Sequence, residues 1–315
     1  MLELLSVTAI VAALLAIMMP VMAQAKVAAR KASTIVRMKQ TATSLVVYAT
    51  DNEDHWPLSG PVDNGEVTGN VGAYLVGWVA GFPNGWDGPQ YEWSDSVAWP
   101  NSTTGYRKDD SVMRAQDLPA TRLSWMEPYN SPYIKPHKAP KFASFTMNGL
   151  LHAWSATAVA NPSRLTLLWQ GAYKASVEGY AYANPVLACN ANTLAPCRFN
   201  PRGYPQVGAA NASFRGDAVY LPFGDDTAWI YGRGMVYVAA DTSARWLPQN
   251  PSGQTTDTVR SYDDPAGLYG PGGKHRAFHR CVFGEGTQVR YTSFFRPDSE
   301  FNYEFGATML TRCDP

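Results

Sequence analysis

The chain has 315 residues, a length for one or two domains. Lys+Arg and Asp+Glu both number 26, so the formal net charge is zero; this argues against nucleic acid as a partner, because phosphate binding draws on a basic excess. Charged residues make up only 17%, below the roughly 25% of soluble domains, and so lightly charged a chain repels itself weakly, which suits close packing with copies of itself.

The first element is apolar. No residue from Leu4 to Ala25 is charged. As a helix this stretch spans about 33 Å, enough to cross a hydrocarbon core. Three readings compete for it. A secretory signal wants a basic start and a small-residue cleavage site; Ala23-Gln24-Ala25 resembles such a site, but the acid Glu3 stands where the basic residues belong. A plain membrane anchor fits the length but gives no role to Glu3 or Pro20. A long assembly helix explains more, because the helical pattern continues past the apolar run. Ile35, Met38, Ala42, Leu45 and Ala49 recur at spacings of 3 and 4 and share one face, with Lys31, Arg37, Lys39 and Gln40 off it. Nothing breaks the pattern before Asp51-Asn52-Glu53-Asp54 and Pro57. The spacing predicts one helix of about 50 residues and about 75 Å. Its apolar part, residues 1–25, needs lipid or neighbouring helices, and its amphipathic part, residues 26–53, needs a domain to pack on. Pro20 removes an internal hydrogen bond and should kink or locally melt the helix.

Residues 54–315 form the second predicted unit. Most of the Gly, Pro, Tyr and Trp lies here, which reads as a β-rich, loop-rich head. In chain order, a strand is expected at Leu75–Val79, a loop at Gly81–Pro100, and strands at Phe142–Met147 and Arg164–Trp169. Two hairpins follow, Gly234–Ala240 with Ala244–Leu247, and Cys281–Phe283 with Thr287–Phe295. The expected fold class is therefore α+β, a long N-terminal helix packed on a β-rich globular domain.

Several residues invite a chemical reading. Trp86, Tyr91, Trp93 and Trp99, interleaved with Asp87, Glu92 and Asp95, have the aromatic-plus-acid look of a sugar-binding surface; filling small cores or burying at subunit contacts is the preferred reading. His275, His279 and Cys281 have zinc-ligand residue types, but glycines and a proline precede them and a strand follows. Asp51–Asp54, Asp225-Asp226 and Asp263-Asp264 offer oxygen ligands for calcium without EF-hand spacing, so no calcium site is named and no cofactor is expected. Four cysteines, Cys189, Cys197, Cys281 and Cys313, lack metal spacing and fit two disulfides in an oxidising compartment. Three pairings are open; Cys189–Cys197, closing a short loop, and Cys281–Cys313, tying down the C-terminus, are preferred. Asn101-Ser102-Thr103 and Asn211-Ala212-Ser213 match the glycosylation acceptor pattern. No G-x-S-x-G elbow or H-E-x-x-H motif is present, and no enzymatic role is expected.

The run Glu3-Leu4-Leu5-Ser6-Val7-Thr8-Ala9-Ile10 through Met19-Pro20, with the Glu3–Pro20 interval, resembles the mature N-terminus of type IV pilins and type II secretion pseudopilins. Lys26, Arg30-Lys31-Ala32-Ser33, Met38-Lys39-Gln40 and Tyr48-Ala49-Thr50-Asp51-Asn52 are similar to one large bacterial branch, whose β-rich domain ends in an H-x9-DG hairpin. Phe145–Gly149, Asn161–Leu168 and Gly234–Leu247 resemble its later segments, with Tyr231 in place of the His and Thr242 in place of the Gly. The resemblance covers about half the chain and is most specific in the first ~50 residues. It implies a filament subunit whose partners are copies of itself, the inner membrane before assembly, and a prepilin peptidase with its assembly machinery. It implies that Glu3 pairs with the N-terminal amine of an adjacent subunit, and that the helix melts near Pro20 in the filament. The family's mature chain has two residues ahead of the position that Met1 occupies; either they are missing from this sequence or the chain starts later. A minor pseudopilin at a tip and a membrane-anchored sugar-binding surface protein are the alternatives.

Overall fold

The computed structural model describes residues 2–63, 66–67, 79–122, 137–170, 175–189, 198–199, 206–207, 215–220, 231, 234–248, 280–282, 290–292 and 295–299. One helix, α1, runs without interruption from Leu2 to Asp51. The expected local melting at Pro20 is thus not seen in the single chain: α1 is helical on both sides of the proline, which costs it the amide that would bond the Ala16 carbonyl.

The C-terminal half of α1 packs as its periodicity dictates. Met38, Ala42, Leu45 and Ala49 are buried, with Ile35 and Val46 packed beside them. Three hydroxyls share this face and are all bonded. The Thr41 hydroxyl lies 3.1 Å from both the Arg37 and the Val112 carbonyls, and Ser44 donates to the Thr41 carbonyl at 2.6 Å. Thr34 Oγ1 accepts the Gln116 amide at 3.0 Å and shares a 2.6 Å hydrogen bond with the Tyr231 hydroxyl. Burying a Leu or Met side chain contributes about 1.5–3 kcal/mol, so this seam holds helix and body together without covalent help.

α1 stops where its acids begin. Asn52 Nδ2 donates back to the Tyr48 carbonyl at 2.8 Å, and Glu53 and Asp54 adopt left-handed φ of 53° and 63°. The Asp54 carboxylate then accepts the Ser155 hydroxyl, the Thr157 amide and the Thr157 hydroxyl. The Thr157 hydroxyl and then the Ser155 hydroxyl hold the Asp54 pKa below its ordinary value. This acidic stretch therefore terminates the helix and anchors it to the 155–157 turn.

The centre of the body is a six-stranded mixed sheet. Its strand order is Ala244–Pro248, Gly234–Ala239, Thr166–Gln170, Phe145–Met147, Tyr180–Ala183 and Val79–Gly81. All neighbours are antiparallel except Phe145–Met147 with Tyr180–Ala183. α1 lies against the end of the sheet formed by the first three strands. Trp169 is fully buried, donates its indole N–H to the Asn184 carbonyl at 3.1 Å and meets Phe295 edge to face. Buried Asn148 donates to the carbonyls of both Thr166 and Phe295 at 2.8 Å, which ties residues 295–299 onto the sheet.

The α+β expectation holds; the strand expected at Arg164–Trp169 runs over Thr166–Gln170, and the hairpin expected at Gly234–Ala240 with Ala244–Leu247 runs over Gly234–Ala239 and Ala244–Pro248. Arg280–Val282 pairs with Arg290–Thr292, as the second hairpin requires. Residues 75–78 of the first expected strand lie outside the described residues, although Val79–Gly81 is a strand. Phe142–Met147 is two strands rather than one. At Ser144 the chain leaves the ladder, its amide donating to the Met113 carbonyl and its hydroxyl meeting Ser176, so Phe142–Ala143 pairs with Ser176–Glu178 while Phe145–Met147 joins the central sheet. The Gly81–Pro100 loop contains short helices, Glu92–Ser96 and Trp99–Ser102, gathered around Asp95.

The hairpin turn carries a strained residue. Thr242 sits at φ 65°, a conformation that a β-branched side chain rarely adopts, at the position where the resemblance puts glycine. Thr242→Gly is expected to stabilise the body by about 1 kcal/mol, raising Tm by about 2–4 °C. Calorimetry showing an unchanged or lower Tm would contradict this account of the turn.

Candidate assembly surface

Beyond the body, α1 is a free stem. From Leu4 to Met22, twelve large apolar side chains are each between 48% and 73% exposed, all the way round the helix. Soluble monomers rarely leave so large a contiguous apolar surface open. α1 is long and apolar enough to cross a membrane. Its two early hydroxyls are internally satisfied: Ser6 donates to the Glu3 carbonyl at 2.8 Å and Thr8 to the Leu5 carbonyl at 2.9 Å. Glu3 is then the one charged side chain ahead of Lys26, and its carboxylate has no ion-pair partner among the described residues. Pro20 lies on the same free stem. The two residues singled out for assembly therefore both stand clear of the body.

The stem is clamped where it enters the body. Arg30 Nε meets Asp117 Oδ2 at 2.9 Å, Arg37 donates to the Arg114 carbonyl at 3.0 Å, and the Lys31 ammonium lies 4.8 Å from the Trp246 ring centre. Arg30–Asp117 is partly exposed, so its direct contribution is small, about 0–1 kcal/mol. Tyr231 bonds Thr34 and so ties residue 231 to α1. Burial raises the Tyr231 pKa against the lowering effect of the Thr34 hydrogen bond. Where the stem leaves the body, Ala23, Gln24, Val27, Ala28, Lys31 and Tyr231 line an open notch of about 420 Å³.

The aromatic loop separates into two kinds of residue. Trp99 is fully buried, and Trp86 meets Tyr180 edge to face at 5.1 Å. Gly179, at φ 79°, is required beneath Trp86, because a Cβ there would stand 2.4 Å from the indole. Tyr91 and Trp93, by contrast, are 47% and 55% exposed, and Glu92 between them pairs with Lys138 at 2.6 Å. Asp95 holds the loop from inside by accepting the amides of Gly81 at 3.0 Å and Gly85 at 3.2 Å. Burial outweighs these two bonds and pushes its pKa up to about 6. Asn101 is equally engaged. Its Nδ2 donates to the Gly81 and Asp95 carbonyls and its Oδ1 accepts the Asn84 amide, so this acceptor motif serves packing.

One buried histidine was not legible beforehand. His152 is wholly enclosed; its Nδ1 accepts the Ser59 amide at 3.0 Å, and its Nε2 has no hydrogen-bond partner among the described residues. Burial lowers its pKa to about 3. The unfolded chain therefore binds a proton that the folded body refuses, and His152 erodes stability as pH falls from about 6.5 towards 3, by at most about 1.4 kcal/mol per unit. Asp95 acts oppositely, since its raised pKa makes the folded body hold a proton more tightly and lose stability as pH rises from 3.8 to about 6. His152→Gln is expected to flatten the acid limb of stability against pH relative to the wild type, measured by denaturant unfolding from pH 7 to 4. Parallel profiles would mean that His152 titrates normally in the folded body.

Cys197 and Cys313 lie outside the described residues, and Cys189 and Cys281 are described by backbone alone, within strands Val186–Cys189 and Arg280–Val282. His275, His279, Asn211 and the acid pairs 225–226 and 263–264 also lie outside them. Among the described residues no group of three or more His, Cys, Asp or Glu is placed to hold a metal ion. No family model matches the chain, and no curated protein or solved structure matches it.

Proposed function

We propose that this chain is a structural subunit of an extracellular, type IV pilus-like filament, with a structural rather than catalytic role. The observation that carries the reading is the free stem of α1, apolar on every face yet continuous with a helix seated in a folded body. Such a stem needs lipid or other stems around it, and each large side chain buried there contributes about 1.5–3 kcal/mol. Before assembly the stem lies in the inner membrane, with Lys26, Arg30 and Lys31 just past its apolar end. In the filament, stems from successive copies bundle together and the β-rich bodies face outward. Glu3 supplies the register, since a carboxylate among packed apolar helices must find a positive partner. Prepilin peptidase and an assembly apparatus are the partners this route requires.

The test is electron microscopy of material sheared from cells that produce the chain with an assembly apparatus, followed by mass spectrometry of the purified filaments. Helically ordered filaments composed of this chain support the reading. A single copy at the tip of a filament built from another protein would make it a minor pseudopilin. Retention of the whole population as membrane-bound monomer would make α1 a plain anchor.

A further inference from the structure

Two surface features belong to opposite edges of the central sheet, an exposed aromatic pair and an apolar notch. One is a prominence. Among the described residues outside α1, Tyr91 and Trp93 are the large apolar side chains left exposed, and they flank Glu92. The prominence is rigidly mounted, because the Glu92–Ser96 helix is held by Asp95 to Gly81 and Gly85, and Lys138 bridges Glu92 and the Asn84 carbonyl. The other is the notch beside the stem. Its floor is made of small and aliphatic groups (Ala23, Val27 and Ala28), with Tyr231 as one wall and Lys31 at its side. Its volume of about 420 Å³ lies in the range that admits small organic groups, ~300–1,000 Å³.

Their placement excludes a contact within one copy. The prominence belongs to the edge strand Val79–Gly81, through Gly81 and the loop that follows it. The notch belongs to the other edge, where Lys31 lies over Trp246 of the strand Ala244–Pro248. Four strands separate the two edges. A prominence on one edge and a recess on the other make a heterologous pair, the kind of contact that propagates from copy to copy instead of closing a dimer. The charges agree with the shapes. Glu92 sits on the prominence, its second carboxylate oxygen uncommitted among the described residues, and Lys31 stands at the notch.

We propose that the Tyr91–Trp93 prominence of one copy seats in the stem-side notch of a second copy, with Glu92 facing Lys31. The occupant is a second copy because each feature supplies what the other lacks: exposed rings against an apolar recess, and an acid against a base. Aromatic side chains that fill pockets at the centre of an interface are the common energetic anchors of such contacts. This proposal rests on the filament reading, but it concerns a different surface from the stem.

The experiment places a photoreactive phenylalanine analogue at Trp93 in the full chain, irradiates assembled material and maps the crosslinks. Crosslinks to residues 23–31 or to Tyr231 of another copy are expected. Crosslinks confined to other parts of a neighbouring copy, or none in assembled filaments, overturn the proposal. In parallel, Trp93→Ala is expected to cut filament yield roughly tenfold or more. Glu92→Lys should also lower it, with partial rescue by Lys31→Glu. Wild-type yield and wild-type salt sensitivity from both single variants would remove the contact while leaving the filament reading intact. If the wild-type chain itself forms no filament, it is the filament reading that fails.

Discussion

Glu3→Ala is expected to reduce filament assembly more than a hundredfold while the body remains folded. A carboxylate enclosed by packed apolar helices is tolerable only as half of an ion pair. Removing one partner leaves the other charge buried and alone, at a cost of about 3–5 kcal/mol; each 1.4 kcal/mol is about a tenfold change in an equilibrium. Glu3 is remote from every core contact of the body, since the stem is exposed as far as Ala29. The variant should therefore keep the wild-type circular dichroism spectrum and Tm, which separates an assembly defect from misfolding. Glu3→Asp keeps the charge but shortens the reach, and is expected to assemble partly. Normal amounts of ordered filament from Glu3→Ala would show that the acid sets no register.

The second large effect lies at the seam between α1 and the body. Leu45 is fully buried there, in line with Met38, Ala42 and Ala49. Leu45→Ala deletes buried apolar volume that its neighbours on two different elements fill only partly, and should destabilise the chain by about 2–5 kcal/mol. For a body of this size that corresponds to a Tm lower by roughly 4–20 °C. Hydrogen exchange should localise the damage, with amides of residues 35–49 losing protection first. Leu45→Met, nearly equal in volume, is expected to cost less than about 1.5 kcal/mol. Equal losses from the two substitutions would mean that the seam is not a close-packed contact.

The helix was legible because its pattern is long and local. Ile35, Met38, Ala42, Leu45 and Ala49 predict a face, and that face is buried. The end of α1 was legible too, since four polar residues and Pro57 interrupt the period where Asp51 closes the helix. The split at Ser144 was not, because the partners of the two halves, Ser176–Glu178 and Tyr180–Ala183, lie tens of residues away. The aromatic loop shows the same limit. Trp86, Tyr91, Trp93 and Trp99 read alike in sequence, but Gly179 shelters Trp86 and the body encloses Trp99, while Tyr91 and Trp93 face outward. His152 carried no signal at all, being a lone histidine whose burial depends on the backbone near Ser59.

By itself, the sequence determined a long helix, apolar at its start and one-sided afterwards, with an acid and a proline set into its apolar run. Those features are one-dimensional: they follow from which residues recur every three or four positions and where charge is missing, so they need no fold to be read. The tertiary structure decided which part of that helix is free and which is packed. The boundary at Arg30 is set by contacts with Asp117, Gln116, Tyr231 and Trp246, residues distant in the chain, and no local pattern reports where such partners will meet the helix.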